Sequence, residues 1–133
     1  MDTTELAVET GTRPFHDLTG TLAEFCAGRG DGLVNVFVPH ATAGLALFEL
    51  GSGSEEDVAA ALERLAPRAA GYAHRHGSPG HGADHVVPVF VAPSVTLPVL
   101  DGRPELGTWQ RLVLVDTNRD NRHRRVRLSF VAG

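Results

Sequence analysis

The apolar residues of this chain fall into short runs that glycine or proline interrupts, and this pattern constrains the fold more than any other feature. Short runs rich in β-branched and aromatic residues are typical of strands, and glycine and proline between them are typical of turns. The predicted strands are residues 5–9, residues 33–38, a strand after His40, and the segments SVTLPV, TWQRLVLVD and RRVRLSFV, the last beginning at Arg124. A turn at Asp101 and Gly102 predicts that the final strands form an antiparallel meander.

Two segments have the periodicity of amphipathic helices. Apolar residues recur at helical spacing ahead of Gly28, which predicts a helix over residues 16–27. A capping-box sequence begins at Ser54, and Pro67 ends the apolar series behind it, so residues 54–65 are also predicted to be helical. The segment PHATAGLALFEL suits a strand or a helix equally by periodicity, and we interpret it as a strand.

Length and composition indicate a single soluble domain over residues 1–133. Hydrophobic residues make up 42% and charged residues 21% of the chain, as in average globular proteins. The formal net charge of −4 gives no basic footprint, so no nucleic-acid partner is expected. A single Cys26 and the absence of a secretory pattern favour the cytoplasm. Because Pro88 interrupts the longest apolar run, no membrane contact is expected.

Four of the seven histidines lie in one glycine-rich stretch, residues 68–85, which cannot form a core. His74 and His76 are two residues apart and would share one side of an extended segment, whereas His81 and His85 would share a helix face. Imidazole is a good zinc ligand, and three nitrogens with one open position are typical of catalytic sites. The stretch predicts a functional loop, and solvated histidines are the alternative reading.

Several other positions are candidate site residues, and each also has an ordinary structural interpretation. His40 precedes small residues that leave space in front of its ring, but strand-end histidines also form simple structural hydrogen bonds. Glu49 suits a base, a metal ligand or a rim charge. Asp84 is expected to orient an imidazole or to be exposed. Trp109 with Gln110 suits binding of a flat ring or ordinary packing.

A basic cluster near the C-terminus is the candidate phosphate contact. It consists of Arg119, Arg122, Arg124, Arg125 and Arg127. Arg125 is our choice within it, although most such arginines lie on solvated faces. No phosphate-binding loop or dinucleotide fingerprint is present, so we expect no nucleotide or flavin cofactor.

The order of four sequence blocks resembles the YjbQ-like family, often described as secondary thiamine-phosphate synthase. The blocks are PHATAGLALFE, YAHRHGSPGHGADH, SVTLPVLDGRPELGTWQ and RRVRLSFVAG, spanning about residues 32–133. The resemblance implies an α+β fold, with a mainly antiparallel, curled, barrel-like sheet and two or three helices on one side, assembled as a homotrimer. It also implies a short helix that starts at His85 with Pro88 in its first turn.

The resemblance assigns roles to residues by position. By position it matches His40, Glu49, His74, His85 and Arg125 to residues of the family. We therefore expect a catalytic set of His40, Glu49 and His85 and a divalent-metal set (zinc or magnesium) of His40, His74 and His85. The expected substrate-binding set is Arg125 with Trp109 and Gln110. The chain departs from the family pattern where Phe48 and Leu50 replace the usual asparagines and where His81 is added.

The implied reaction joins a hydroxymethylpyrimidine diphosphate to a thiazole phosphate and releases pyrophosphate. Such a reaction needs cations or arginines to neutralise the departing diphosphate. One alternative is a metal-dependent hydrolase in which three histidines hold zinc and Glu49 activates water. The other is a non-enzymatic trimer that binds a small anionic metabolite.

Overall fold

Eight strands and three helices make up the chain, which a computed structural model describes over residues 1–133. The strands are β1 Asp2–Glu9, β2 Phe15–Asp17, β3 Gly32–Phe37, β4 Ala43–Phe48, β5 Ser94–Leu100, β6 Arg103–Pro104, β7 Arg111–Asp116 and β8 His123–Ala132. The helices are α1 Thr19–Cys26, α2 Ser54–Leu65 and α3 His81–Phe90. None of the helices has both the length and the hydropathy needed to cross a bilayer.

The strands form two antiparallel sheets. The larger sheet has the order β1-β8-β3-β5-β6, and the smaller sheet has the order β2-β7-β4. The architecture is therefore α+β, with three helices and a curled antiparallel half-barrel, as the resemblance implied. The predicted meander is wrong, because β7 lies between β2 and β4 rather than beside β6 or β8.

Strand β7 is buried on both faces and separates two apolar clusters. Leu112 and Leu114 belong to the cluster that includes α1 and the larger sheet, whereas Val113 and Val115 pack with α2 and α3. Alternate residues of a strand point to opposite faces, so a continuous apolar run can serve both clusters. The second cluster supports α3 and thereby fixes the position of its histidines.

The start of α2 depends on a turn at Gly53, and the start of α1 depends on the strand pairing of the residues before it. Helix α2 has the predicted bounds, Ser54–Leu65, but its N-cap is Gly53 at φ 89°, and no cap side chain bonds to the helix. The Glu55 carboxylate instead accepts a backbone N–H just ahead of the helix. Helix α1 starts at Thr19 rather than residue 16, because Phe15–Asp17 pairs with β7 as a strand.

Helix α3 starts earlier than the resemblance implies. The expected start at His85, with Pro88 in the first turn, is wrong, since the helix spans His81–Phe90 and Pro88 lies near its C-terminal end. Gly80, at φ 85°, makes the turn from which the helix begins. Because the helix starts one turn earlier, it includes two histidines instead of one.

Candidate metal centre

Three histidine side chains converge at the start of α3, and we call His74, His81 and His85 the histidine cluster. His81 and His85 lie on consecutive turns of α3, and their Nε2 atoms are 3.2 Å apart. His74 comes from the preceding loop, and its ring centroid is 4.3 Å from that of His85. One ligand atom from each of the three side chains lies within 4.8 Å of the others.

Two glycines allow the loop to approach α3 this closely. A Cβ atom at Gly77 would lie 2.5 Å from the His81 ring, and one at Gly82 would lie 2.6 Å from the Tyr72 Cβ. Such distances are too short for any side chain, so these positions require glycine. The Tyr72 hydroxyl donates a hydrogen bond to the Pro67 carbonyl oxygen at 2.7 Å and anchors the start of the loop.

The surroundings of His74 and His85 favour their neutral imidazole forms. Burial, followed by the nearby rings of His76 and His81, lowers the pKa of His74. Burial and the neighbouring histidines also lower the pKa of His85, against a smaller opposing effect of Asp84. The neutral ring is the form that binds a metal, so both residues are ready ligands near neutral pH.

The donor atoms fit a zinc-type ion. Tetrahedral zinc with Zn–N bonds of about 2.0–2.1 Å places its ligand nitrogens about 3.3 Å apart. The separation of 3.2 Å between the Nε2 atoms of His81 and His85 is close to that value. The Nδ1 atom of His74 is buried without a hydrogen-bond partner, which is uncommon for a buried polar atom. Three histidines would leave one coordination position open, as in catalytic zinc sites.

The carboxylates of Asp84 and Asp120 face the Nδ1 atom of His81. That atom is 3.5 Å from Asp84 Oδ2 and 3.1 Å from Asp120 Oδ2. Asp84 is fully buried, and its Oδ1 atom pairs with Arg68 Nη1 at 2.5 Å. Hydrogen bonds from Ser78 lower the pKa of Asp120. The structure therefore places Asp84 next to an imidazole rather than in solvent.

His76 lies beside the histidine cluster without joining its ligand set. Its ring centroid is 4.0 Å from that of His74, but its side chain is exposed and its ligand atoms are outside the converging group. It lines the same surface depression as His74 and His81.

His40 lies apart from the histidine cluster, in the loop between β3 and β4 and beside the start of β8. Its Nε2 atom accepts a hydrogen bond from the Arg125 backbone N–H at 2.9 Å. Burial, and then the positive charges of Arg124 and Arg125, lower the pKa of His40. Of the metal set that the resemblance implies, the structure brings His74 and His85 together, and His81 is the third member of the group.

Glu49 and Trp109 lie together in a separate surface depression. Asp17, Thr108 and Arg111 also line it, and no histidine does. Trp109 is 71% exposed, so it does not belong to the core. Gln110 stabilises the turn before β7, because its Oε1 atom accepts the Gly107 N–H at 2.8 Å.

The arginines of β8 alternate in exposure. Arg124 is buried and pairs with Asp116 at 2.5 Å, while the Arg125 side chain is 61% exposed and lies 3.9 Å from Glu5. Arg125 is therefore accessible to a ligand, and Arg124 is a structural residue.

Sequence reasoning did not identify Arg68 or Asp120 as neighbours of the cluster. Arg68 is the first residue of the glycine-rich stretch, and Asp120 comes from the loop between β7 and β8. No local pattern marks either one as a neighbour of the cluster. The sequence did indicate a role for His81, because it lies four residues before His85. That spacing brings two side chains together only when the segment is a helix.

Comparison with known proteins places the chain among relatives of the same length. A UPF0047 protein of Mycobacterium tuberculosis is 60% identical over 133 residues, which is 100% of both chains. A UPF0047 protein of Archaeoglobus fulgidus is 36% identical over 113 residues, covering 84% of this chain and 88% of the relative.

Solved structures share the fold. A hypothetical protein of Aeropyrum pernix superimposes with a TM-score of 0.90 at 29% identity, covering 100% of both chains. A YbjQ-like protein of unknown function from Sulfolobus solfataricus gives a TM-score of 0.91 at 21% identity over 99% of this chain and 97% of that chain. The sequence profile described as UPF0047 protein YjbQ-like matches residues 4–133, and the chain therefore belongs to this family.

Proposed function

We propose that this chain is a metal-dependent enzyme that acts on a small phosphorylated metabolite at the histidine cluster. The convergence of three imidazoles within 4.8 Å supports this proposal more than any other observation. Zinc is the ion that best matches a set of imidazole ligands with one open position. When bound, it would polarise a phosphoryl oxygen and offset the charge of a leaving group.

His40 and Arg125 are suited to bind a phosphate. Because His40 Nε2 accepts the Arg125 N–H, the neutral ring holds its proton on Nδ1, and that N–H is available as a donor. The Arg125 side chain is mostly exposed and only loosely paired with Glu5, so its guanidinium can bind phosphate oxygens bidentately. Arg125 thus supplies charge and His40 supplies direction, and the proposed substrate must extend from this pair to the histidine cluster.

Group transfer is the reaction that we propose, in line with the thiamine-phosphate synthase-like chemistry that the resemblance implies. Trp109 is exposed, but it lies in the same depression as Glu49, so within one chain its ring does not stack a pyrimidine at the histidine cluster. The hydrolase alternative needs a base beside the metal ligands, and Glu49 lies in a depression that the histidines do not line. Transfer of the pyrimidine to the thiazole phosphate would release pyrophosphate.

Metal content tests the first part of this proposal. Wild-type protein incubated with zinc and then desalted should retain about one ion per chain, as three protein ligands predict. The His81→Ala, His85→Ala double variant should retain none, while the control His76→Ala should retain the wild-type amount. A wild-type protein that retains no zinc overturns the proposal.

Turnover tests the second part. Zinc-loaded protein with hydroxymethylpyrimidine diphosphate and thiazole phosphate should release pyrophosphate and form the joined product. Arg125→Ala should lower kcat/KM by about 10-fold to 100-fold, because a charge-assisted phosphate contact is lost. Turnover of a simple phosphoester instead favours the hydrolase, and tight binding without turnover favours the non-enzymatic trimer.

A further inference from the structure

Two buried polar atoms beside the histidine cluster face each other without hydrogen-bond partners. They are His81 Nδ1 and Asp84 Oδ2, which lie 3.5 Å apart. The side chains are 8% and 0% exposed, so bulk solvent does not reach either atom. Unpaired buried polar atoms cost free energy, and two of them side by side indicate a bond that forms in another state of the site.

The other oxygen of Asp84 is already fully occupied. Its Oδ1 atom accepts hydrogen bonds from Arg68 Nη1 at 2.5 Å and from the Thr117 hydroxyl at 2.8 Å. Arg68 also donates to the Thr117 carbonyl oxygen at 3.3 Å, which ties the three groups together. The carboxylate is thus held rigidly, with Oδ2 directed at His81.

We propose that Asp84 is a positioning residue that holds the imidazole proton of His81 on Nδ1. A neutral imidazole has one N–H, and the nitrogen without the proton is the one that binds a metal. With the proton on Nδ1 facing Asp84, Nε2 is left unprotonated beside His85, at 3.2 Å from its Nε2. Carboxylates that orient metal-binding histidines in this way raise ligand basicity and affinity.

Asp120 is the competing carboxylate, and its existing contacts make it the weaker candidate. Its Oδ2 atom is 3.1 Å from His81 Nδ1, nearer than Asp84 Oδ2 at 3.5 Å, and neither contact has the alignment of a hydrogen bond. Asp120 Oδ2 accepts the Ser78 backbone N–H at 3.0 Å, and the Asp120 side chain is 32% exposed. Asp120 therefore serves as the matched control for Asp84.

Zinc affinity tests the inference, which rests on the proposed metal site. Competition with a chromogenic chelator should show that Asp84→Asn raises the Kd for zinc by about 10-fold to 100-fold. Asp120→Asn should change the Kd by less than about threefold, since its carboxylate has another partner. Equal zinc affinity in Asp84→Asn and wild type overturns the positioning role, and the metal site itself remains.

A second measurement is independent of bound zinc. The ¹⁵N spectra of the metal-free wild-type protein and of Asp120→Asn report which nitrogen of His81 is protonated. A proton that stays on Nδ1 in Asp120→Asn supports the role of Asp84, because the competing carboxylate is then gone. A proton on Nε2 in wild type, or one that leaves Nδ1 in Asp120→Asn, overturns it. If wild-type protein binds no zinc, the proposed function fails, and these two spectra still decide whether Asp84 sets the tautomer.

Discussion

Among single residues, Arg124 has the largest expected effect on stability. Its side chain is 2% exposed, and its guanidinium donates to Asp116 at 2.5 Å and to the Thr42 hydroxyl at 3.3 Å. Replacing Arg124 with alanine leaves the buried carboxylate without its cation. We expect Arg124→Ala to lower the free energy of unfolding by about 3–5 kcal/mol, measured by urea denaturation.

The adjacent arginine provides the control for this prediction. Arg125→Ala removes an exposed charge whose ion pair with Glu5 spans 3.9 Å, so it should cost less than about 1 kcal/mol. Equal losses in the two variants would show that the buried pair contributes no special stability. The sequence offered a signal for the difference, because Arg124 shares its strand face with the buried Val126 and Leu128.

His40 should make stability depend on pH. Its pKa is lowered in the folded protein, whereas the unfolded chain binds the proton at an ordinary value of about 6.5. Below that value the unfolded state binds more protons, so the free energy of unfolding should fall as the pH drops from 7 toward 5. In His40→Gln the amide oxygen retains an acceptor for the Arg125 N–H and does not titrate.

Urea denaturation of metal-free protein at several pH values measures this effect. His74 and His85 shift in the same direction and contribute equally to both proteins, so the comparison isolates His40. The variant should show a shallower decline between pH 7 and pH 5. An identical decline in both proteins would mean that the His40 proton is not linked to folding.

Among the elements, β4 and the end of α3 have the tightest contact. A Cβ atom at Gly44 would overlap the Val91 carbonyl oxygen, and the neighbouring Leu45 N–H donates to the Ala92 carbonyl oxygen at 2.8 Å. Gly44→Ala must force β4 away from the segment after α3. We expect it to lower the free energy of unfolding by about 1–3 kcal/mol, as overpacking typically does.

A glycine in α1 gives the opposite expectation for the same chemical change. A Cβ atom at Gly20 would meet no atom within 4 Å, and this residue lies inside a helix. Gly20→Ala should therefore raise the free energy of unfolding by about 0.5–1 kcal/mol. If both alanine variants were destabilised alike, the loss at Gly44 could not be assigned to its contact with Val91.

The sequence predicted a helix or strand correctly where the residues of that element determine it by themselves. The bounds of α2 follow from its periodicity and from Pro67, and β3 follows from its β-branched content. The start of α3 had no such signal, because glycines surround His81 and only the packing of Val87 and Ala83 on β7 makes the segment helical. The pairing of β7 depends on long-range contacts that a local pattern does not contain.

The same distinction applies to the candidate site as a whole. The sequence indicated that the glycine-rich stretch is functional, and His74 and His85 do converge within it. The spacing of His81 and His85 put both on one face only if the segment were helical, and the structure meets that condition because α3 begins at His81. Asp120 and Arg68 reach the cluster through the tertiary fold, so only a structure can reveal them.

For the whole molecule, we propose the homotrimer that the resemblance implies, with the outer face of the larger sheet as a contact surface. Leu33 and Val131 are directly paired across β3 and β8, and they are 51% and 53% exposed. Phe37 lies on the same face and is 40% exposed. Adjacent exposed apolar side chains of this kind mark protein–protein contacts.

Sedimentation equilibrium should therefore give a mass of about three times the 14.1 kDa of one chain. The Leu33→Asp, Val131→Asp double variant should shift the protein toward monomer, because association would bury two charges without partners. Leu65→Asp, at an exposed position on α2, should leave the mass unchanged. A wild-type mass of one chain would exclude the trimer, and a trimeric double variant would place the contact on another face.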